Sequence, residues 1–455
     1  MMALPSVNFA ERHTVIANWQ GTVWNYRRIA LLALALNTLS ALLFISFFDR
    51  PVYDDANNFP DVQRYASEAV SIDSIRHHRN PTGPTSFIWM AEGLRLLGGK
   101  GLRDARLASL VSWLILGTGI LVVADKNSFP QFWYAAFLVT LVFPHSVSTS
   151  ALVLTEGPAL LFALIGLLAW LEIFSRTVDS PRFVFLGIIG GLSLGIAVTC
   201  RQYFLALLPA AFCFAIYQLS RNRAMRNGTW FIAATLSLLA ASVPVLMLVF
   251  VWRNLSSPGM VAGASYAGQE ARVGLNFFRP LIAAFYTAAY LVPFTFPAMF
   301  RLKTSQRRIG LLVAALGGIS ITYFSSFFLQ PGPLNSLIRM ASRLPYGGTV
   351  LFAVIAIGVI YNAASVCCLL WEQRHFLSSR APVVFAIFAV AFFIAEQFGV
   401  GGNLPFYDRY VLQIAPFLGL ITFTVLPRLT PSRLTALACL SLLSHGMLWR
   451  FAFGP

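Results

Sequence analysis

The apolar residues of this chain fall in runs of about 18 to 22, separated by short polar breaks. A helix needs about 20 apolar residues to cross the hydrocarbon layer of a bilayer. Charged residues make up 11% of the 455 and hydrophobic ones 57%, against about 25% charged in soluble domains. The runs are apolar all round rather than striped, which excludes a large soluble helical protein. The expected class is an all-α polytopic membrane protein with about 13 transmembrane helices, read as one integral membrane domain over 1–455. Spans are expected near 29–48, 107–123, 130–147, 155–174, 183–200, 203–219, 230–251, 278–299, 309–329, 348–370, 382–398, 411–426 and 434–449. Pro144 interrupts the third. The first run is a full span without a small-residue cleavage site, so no cleavable signal is expected.

The net charge of +16 invites a nucleic-acid reading, and its distribution argues against one. Basic residues occur in small groups between apolar runs, such as Arg221, Arg223 and Arg226, or Arg301, Lys303, Arg307 and Arg308. That is the pattern of cytoplasmic loops under the positive-inside bias. With the N-terminus inside, inner segments hold 17 Lys and Arg against 5 acids, and outer segments 16 against 12. The expected orientation is therefore N-inside, with the long loop 49–106 on the extracytoplasmic face. Cys200, Cys213, Cys367, Cys368 and Cys439 lie in or beside apolar runs and read as small core residues, with no disulfide framework.

That loop is the only long polar segment. It holds the adjacent carboxylates Asp54 and Asp55, further acids at Asp61, Glu68 and Asp73, and bases at Arg64, Arg76, Arg79 and Arg95. Two short helices are expected in it. One runs from about Pro60 to Val70, capped by Asn57 or Asn58. The other begins after Pro84 and ends at Gly98 and Gly99. Its apolar positions Phe87, Met90, Ala91, Leu94 and Leu97 are expected to lie on the membrane interface.

A carboxylate held beside the bilayer suits a general base, so Asp54 or Asp55 is the candidate proton acceptor. Glu156, in Thr155-Glu156-Gly157 at the start of the fourth span, and Glu396, near the end of the eleventh, are costly at a membrane boundary and call for partners. Arg201 and Gln202 interrupt two spans with almost no loop between them. Arg409 precedes the twelfth span, and Arg339 and Arg343 lie between the ninth and tenth. The guanidinium fork matches phosphate oxygens, and one contact at about 4 Å contributes roughly 4 kcal/mol before desolvation. Snorkelling at span ends accounts for Arg253 and Arg450. His77 and His78 are adjacent, and no Cys or His spacing suits zinc. No cofactor is expected; the residues leave room for a carboxylate-held divalent cation and no more. No P-loop, nucleophile elbow or dinucleotide fingerprint occurs.

Taken in order, Tyr53-Asp54-Asp55, Phe59-Pro60, Gln63-Arg64-Tyr65, Asn80-Pro81-Thr82-Gly83-Pro84, Val142-Phe143-Pro144, Thr155-Glu156-Gly157, Arg201-Gln202 and Arg409-Tyr410 with Pro416 form a constellation. It resembles the GT-C class of polyprenyl-phosphate-sugar-dependent membrane glycosyltransferases. Within that class it is most similar to the dolichyl-phosphate-glucose-dependent alpha-1,2-glucosyltransferase family. Asp55 stands where that family has Glu, Asn80 replaces an Asp, and the segment Gly259 to Asn276 lacks its acidic and histidine residues. The resemblance implies inverting transfer of a hexose, glucose for that family, from a lipid-phosphate donor to a glycan or lipid-linked acceptor. Asp54 or Asp55 would be the base. Arg201 and Arg409, helped by Arg339 or Arg343, would hold the donor phosphate. Glu156 would orient sugar hydroxyls or one of these arginines, and Gln202, Gln63 and Arg64 would orient sugar or acceptor. The partners are then the lipid-linked donor, the acceptor and the bilayer. Short loops favour a bacterial inner membrane with a periplasmic site over an endoplasmic reticulum lumen. The rival classes are a transporter, which would keep its charges at the midplane on repeats, and a flippase or polymerase of lipid-linked glycans.

Overall fold

The structure is a computed structural model. It describes residues 9–453 except 79, 81, 127–129, 176–179, 222–227, 254–275, 330–332, 375–380 and 400–407, and leaves the side chains of 9–25, 53, 54, 126, 175, 333, 408, 452 and 453 outside the description. No strand occurs among the described residues. α1 (Phe9–Phe47) leads into the loop, which carries α2 (Tyr53–Ser67), α3 (Ile72–Arg76) and α4 (Thr85–Leu96). α5 (Leu102–Lys126), α6 (Pro130–Val142), α7 (Ser146–Ala151), α8 (Glu156–Ser175), α9 (Arg182–Cys200), α10 (Leu207–Arg221) and α11 (Thr229–Trp252) follow. Then come α12 (Phe278–Thr295), α13 (Thr304–Tyr323), α14 (Ser325–Phe328), α15 (Pro333–Ala341), α16 (Gly347–Glu372), α17 (Ala381–Glu396), α18 (Ala415–Val425) and α19 (Pro431–Phe453).

Among the described residues nine helices are long and apolar enough to cross a membrane. The shorter apolar helices Pro130–Val142, Ala381–Glu396 and Arg409–Val425, together with α13, account for thirteen, consistent with the expected spans. The chain is an integral membrane protein. Leu32 and Leu39 on α1, Phe185 on α9 and Leu442 on α19 stay exposed, as side chains that meet lipid do. Trp113, Trp133 and Trp170 are buried in one core that extends from Tyr26 to Leu440.

Successive helices run antiparallel, so their ends gather at two faces of the bundle. The ion pairs Arg27–Asp125 and Lys303–Glu372, each 3.1 Å, mark one face; the loop covers the other. The tightest helix pair is α9 with α11. A Cβ on Gly191 would stand 2.0 Å from the Ser237 carbonyl oxygen, so only glycine allows this backbone approach. Pro144, which has no N–H, ends α6 at Val142. The carbonyl of Leu141 that the break frees accepts from Asn37 Nδ2 at 2.8 Å instead.

The loop departs from expectation in two places. α2 begins at Tyr53, with Pro60 inside it, and Asn58 caps nothing: its amide donates to the Val153 carbonyl at 2.7 Å. Tertiary anchoring of the first turn, described below, overrides the local proline signal. α4 has the expected bounds, and Gly98 takes φ +66° just beyond it. Its apolar face is buried against protein rather than lipid: Phe87, Met90, Ala91 and Leu94 pack with Val62, Tyr65, Leu102 and Ala105. Leu97 is left half exposed.

Candidate functional site

The two carboxylates at the start of α2 part company. The side chain of Asp54 lies outside the described residues; its backbone stands in the first turn of the helix. Asp55 is fully buried against Arg106, and both side chains are 0% exposed. Arg106 Nη2 and Nε, the latter at 3.1 Å, donate to Asp55 Oδ2. Val153 N donates to Oδ1 at 2.8 Å, and Val52 N to Oδ2 at 3.5 Å. The rest of the guanidinium donates to the carbonyls of Phe48 and Arg50, which close α1. Every hydrogen-bonding position of Asp55 faces protein, and an acceptor hydroxyl has no access to it. The expectation of a base at Asp55 does not fit this geometry.

A strap of polar contacts fastens the loop to the spans beneath. Asn80 Nδ2 donates to Asn58 Oδ1 at 3.0 Å, and Thr82 N and Oγ1 donate to Asn80 Oδ1. Thr85 Oγ1 donates to Thr199 Oγ1 at 2.9 Å and Ser86 Oγ to the Thr155 carbonyl at 3.0 Å. Between them Gly83 lies so close to α9 that a Cβ would stand 1.7 Å from the Thr199 oxygen. Buried His78 sits behind the strap. Its Nε2 meets the Thr82 carbonyl at 2.8 Å and must donate there, so Nδ1 accepts from the Tyr65 hydroxyl at 3.1 Å. Burial pushes the imidazole pKa down to about 4 and the Tyr65 phenol up to about 12.

The strap ends one residue before Glu156 and two before Arg201. Glu156 opens α8 and Arg201 closes α9. The antiparallel neighbours therefore bring an acid at a helix N-terminus beside a base at a C-terminus, each where the helix dipole favours it. Arg201 Nη2 lies 3.1 Å from Glu156 Oε1, and Arg409 Nε lies 3.9 Å from the same oxygen. Arg201 Nη1 donates to Thr155 Oγ1 at 3.2 Å. Its guanidinium carbon sits 5.3 Å from the Tyr410 ring and 5.7 Å from Tyr203. The two tyrosine rings pack at 4.3 Å. Glu156 and Arg201 are 2% and 6% exposed. Even so, neither Glu156 oxygen makes a hydrogen bond of good geometry, and Arg201 Nε has no acceptor among the described residues. Buried polar groups are nearly always satisfied, so this cluster keeps capacity for a ligand.

Sequence reasoning missed several members of this end of the bundle. Arg279, 1% exposed at the start of α12, donates through Nη2 to the Tyr203 hydroxyl at 3.1 Å and through Nε to Gln397 Oε1 at 3.2 Å. An arginine inside the expected eighth span was the signal, since such residues rarely stand without a polar partner. Arg106, at the edge of the second span, carried the same one. The remaining candidates fall outside the cluster. Gln63 donates to the Lys100 carbonyl at 3.3 Å, and Arg64 to the His77 carbonyl at 3.1 Å with Asp61 at 3.5 Å. Both hold the loop to itself. Gln202 opens a 3-10 turn, Gln202–Ala206, directly after Arg201. Arg339 and Arg343 are exposed on and after α15, and among the described residues no ion pair joins either to Glu156.

No family model and no curated protein sequence matches the chain. Among solved structures, ArnT from Cupriavidus metallidurans bound to undecaprenyl phosphate is similar at 17% identity, over 95% of this chain and 79% of that one, with a TM-score of 0.42. The apo form gives 16%, 95%, 78% and 0.36. The archaeal oligosaccharyltransferase AglB from Archaeoglobus fulgidus, in complex with an inhibitory peptide and a dolichol-phosphate, gives 11% identity, 84% of this chain, 57% of that one and 0.33. TM-scores of this size describe a loose likeness in helix arrangement only.

Proposed function

We propose that the chain is a GT-C-type membrane glycosyltransferase. It moves a hexose, glucose first among candidates, from a polyprenyl-phosphate donor to a glycan or lipid-linked acceptor. The site faces the extracytoplasmic side, in a bacterial inner membrane, and the loop 49–106 roofs a single membrane domain. The observation that carries this reading is the Glu156–Arg201–Arg409 cluster, strapped to the loop in which Asp54 stands. A lipid-borne phosphate arriving at the bundle end would meet guanidinium groups already desolvated and oriented.

In the proposed step Asp54 takes the proton of an acceptor hydroxyl. The freed oxygen pair attacks the anomeric carbon, and the bond from that carbon to the phosphate oxygen breaks on the opposite side, which inverts the centre. The electron pair leaves with the lipid phosphate, and its growing charge falls on Arg201 and Arg409. Glu156 keeps both guanidinium groups in place at the bundle end, where phosphate oxygens would meet them. Asp55 and Arg106 hold the first turn of α2, so Asp55 acts as a positioning residue. No cofactor enters this chemistry.

The test is Asp54→Asn in a deletion strain, with lipid-linked and surface glycans read by mass spectrometry. The variant is expected to insert at wild-type level and to leave the sugar absent from the glycan. Normal glycans would remove the proposed base and with it this mechanism.

A further inference from the structure

The hydrogen-bonding capacity left open at this end of the bundle extends beyond Glu156. Among the described residues, Nε2 of Gln397 and both amide atoms of Gln413 are buried without a hydrogen-bond partner, and neither carboxylate oxygen of Glu396, which the Ala206 N–H approaches, makes a hydrogen bond of good geometry. Gln397 and Gln413 are 0% and 1% exposed. Such groups cost about 1–3 kcal/mol each when left unsatisfied, and here the elements that carry them are linked through Arg279 and the Tyr203–Tyr410 pair. Glu396 ends α17 and Gln397 follows it. Arg279 Nε donates to Gln397 Oε1 at 3.2 Å, which fixes the amide and leaves its NH2 group without an acceptor among the described residues. Arg279 also binds Tyr203, whose ring packs on Tyr410. Gln413 lies three residues after Tyr410 in the 3-10 turn Asp408–Ile414, hence on the same face of it.

The chemistry of these atoms selects the ligand. Amide and carboxyl oxygens need donors, and amide N–H groups need acceptors. A phosphate offers acceptors only and leaves Gln413 Oε1 unsatisfied. An ammonium offers donors only and leaves Gln397 Nε2 and Gln413 Nε2 unsatisfied. A lipid tail offers neither. Hydroxyl groups donate and accept from one atom, and several at fixed spacing occur on a sugar ring. We propose that Glu396, Gln397 and Gln413 form a subsite for sugar hydroxyls, distinct from the guanidinium groups that would hold phosphate. The proposal rests on the transferase reading for the source of those hydroxyls, whether donor or acceptor sugar.

The test uses the full-length protein in lipid nanodiscs, with Gln413→Leu and Glu396→Met. Apolar side chains of similar size remove the unsatisfied atoms, so the ligand-free variants are expected to melt about 1–2 °C higher than wild type. The same variants, expressed in the deletion strain, are expected to lose about tenfold in product for each hydroxyl contact removed. A fall in melting temperature overturns the proposal, because it means the groups are satisfied within the fold or by structural water. A rise with unchanged glycans overturns it too, because no ligand then uses them. Lost glycans here beside normal glycans in Asp54→Asn would uphold the subsite and remove the mechanism above. With purified substrates, a KM raised for the lipid donor assigns the hydroxyls to the donor sugar, and one raised for the acceptor assigns them to the acceptor.

Discussion

Two buried ion pairs, both joining carboxylate to guanidinium within the same end of the bundle, differ in one respect. Asp55 and Arg106 satisfy each other and four neighbouring backbone groups, the carbonyls of Phe48 and Arg50 and the N–H groups of Val52 and Val153, so the unit is closed. Glu156 and Arg201 are nearly as deeply buried, yet both Glu156 oxygens and Arg201 Nε keep unused hydrogen-bonding capacity. Charge type and burial are alike. Satisfaction is what separates a pair that holds the fold from one poised for a ligand.

The contrast breaks most sharply at Arg106. Arg106→Ala leaves a buried carboxylate without its partner and is expected to cost about 3–5 kcal/mol. Thermal unfolding followed by tryptophan fluorescence reads this, and Asp55→Leu in the same chain should recover most of it. Equal melting of Arg106→Ala and Arg201→Ala would erase the distinction. Arg201→Ala is expected to cost less in melting, because Arg409 still faces Glu156, and to lose about 10²–10³ in turnover, the usual effect of removing one charge-stabilising donor.

The strap between the two pairs offers gentler tests. Burial pushes the pKa of His78 down to about 4 in the fold, against about 6.5 when unfolded. Above pH 6.5 its contribution is fully present. Between pH 6.5 and 4 the unfolded chain binds the extra proton, so stability falls on acidification by about 3 kcal/mol in all; below pH 4 the loss stops. Melting curves across that window should show the slope, and His78→Asn should flatten it. The smallest expected effect is Gly83→Ala. Its Cβ would strike the Thr199 oxygen, and easing the strap off α9 should cost about 1–3 kcal/mol. Activity should fall with it, because the contact lies two residues from Arg201. Unchanged melting and unchanged turnover would show that the loop does not depend on this contact.

Much of the architecture was legible in the linear chain. Run length located the spans, and Pro144 located the break in the third, because these signals act within a few residues. The motif residues Glu156, Arg201 and Arg409 do meet. The start of α2 was misplaced by the strong local signal of Pro60, which the Asp55 anchor outweighs. The apolar face of α4 was read correctly and its neighbour wrongly, since a helix stripe says that it will be covered and not by what. Arg339 and Arg343 have the same side chain as Arg201, and only the fold places them apart from it.

Sequence alone therefore settled that this chain is helical, embedded in a membrane and polar chiefly in one loop, because solvation by lipid acts on every residue wherever it packs. That Asp55 is locked away by Arg106, and that Arg279 meets Gln397 at the bundle end, was decided by tertiary structure. Partners there come from helices more than a hundred residues apart, and hydrogen-bond satisfaction belongs to the pair of groups rather than to either residue.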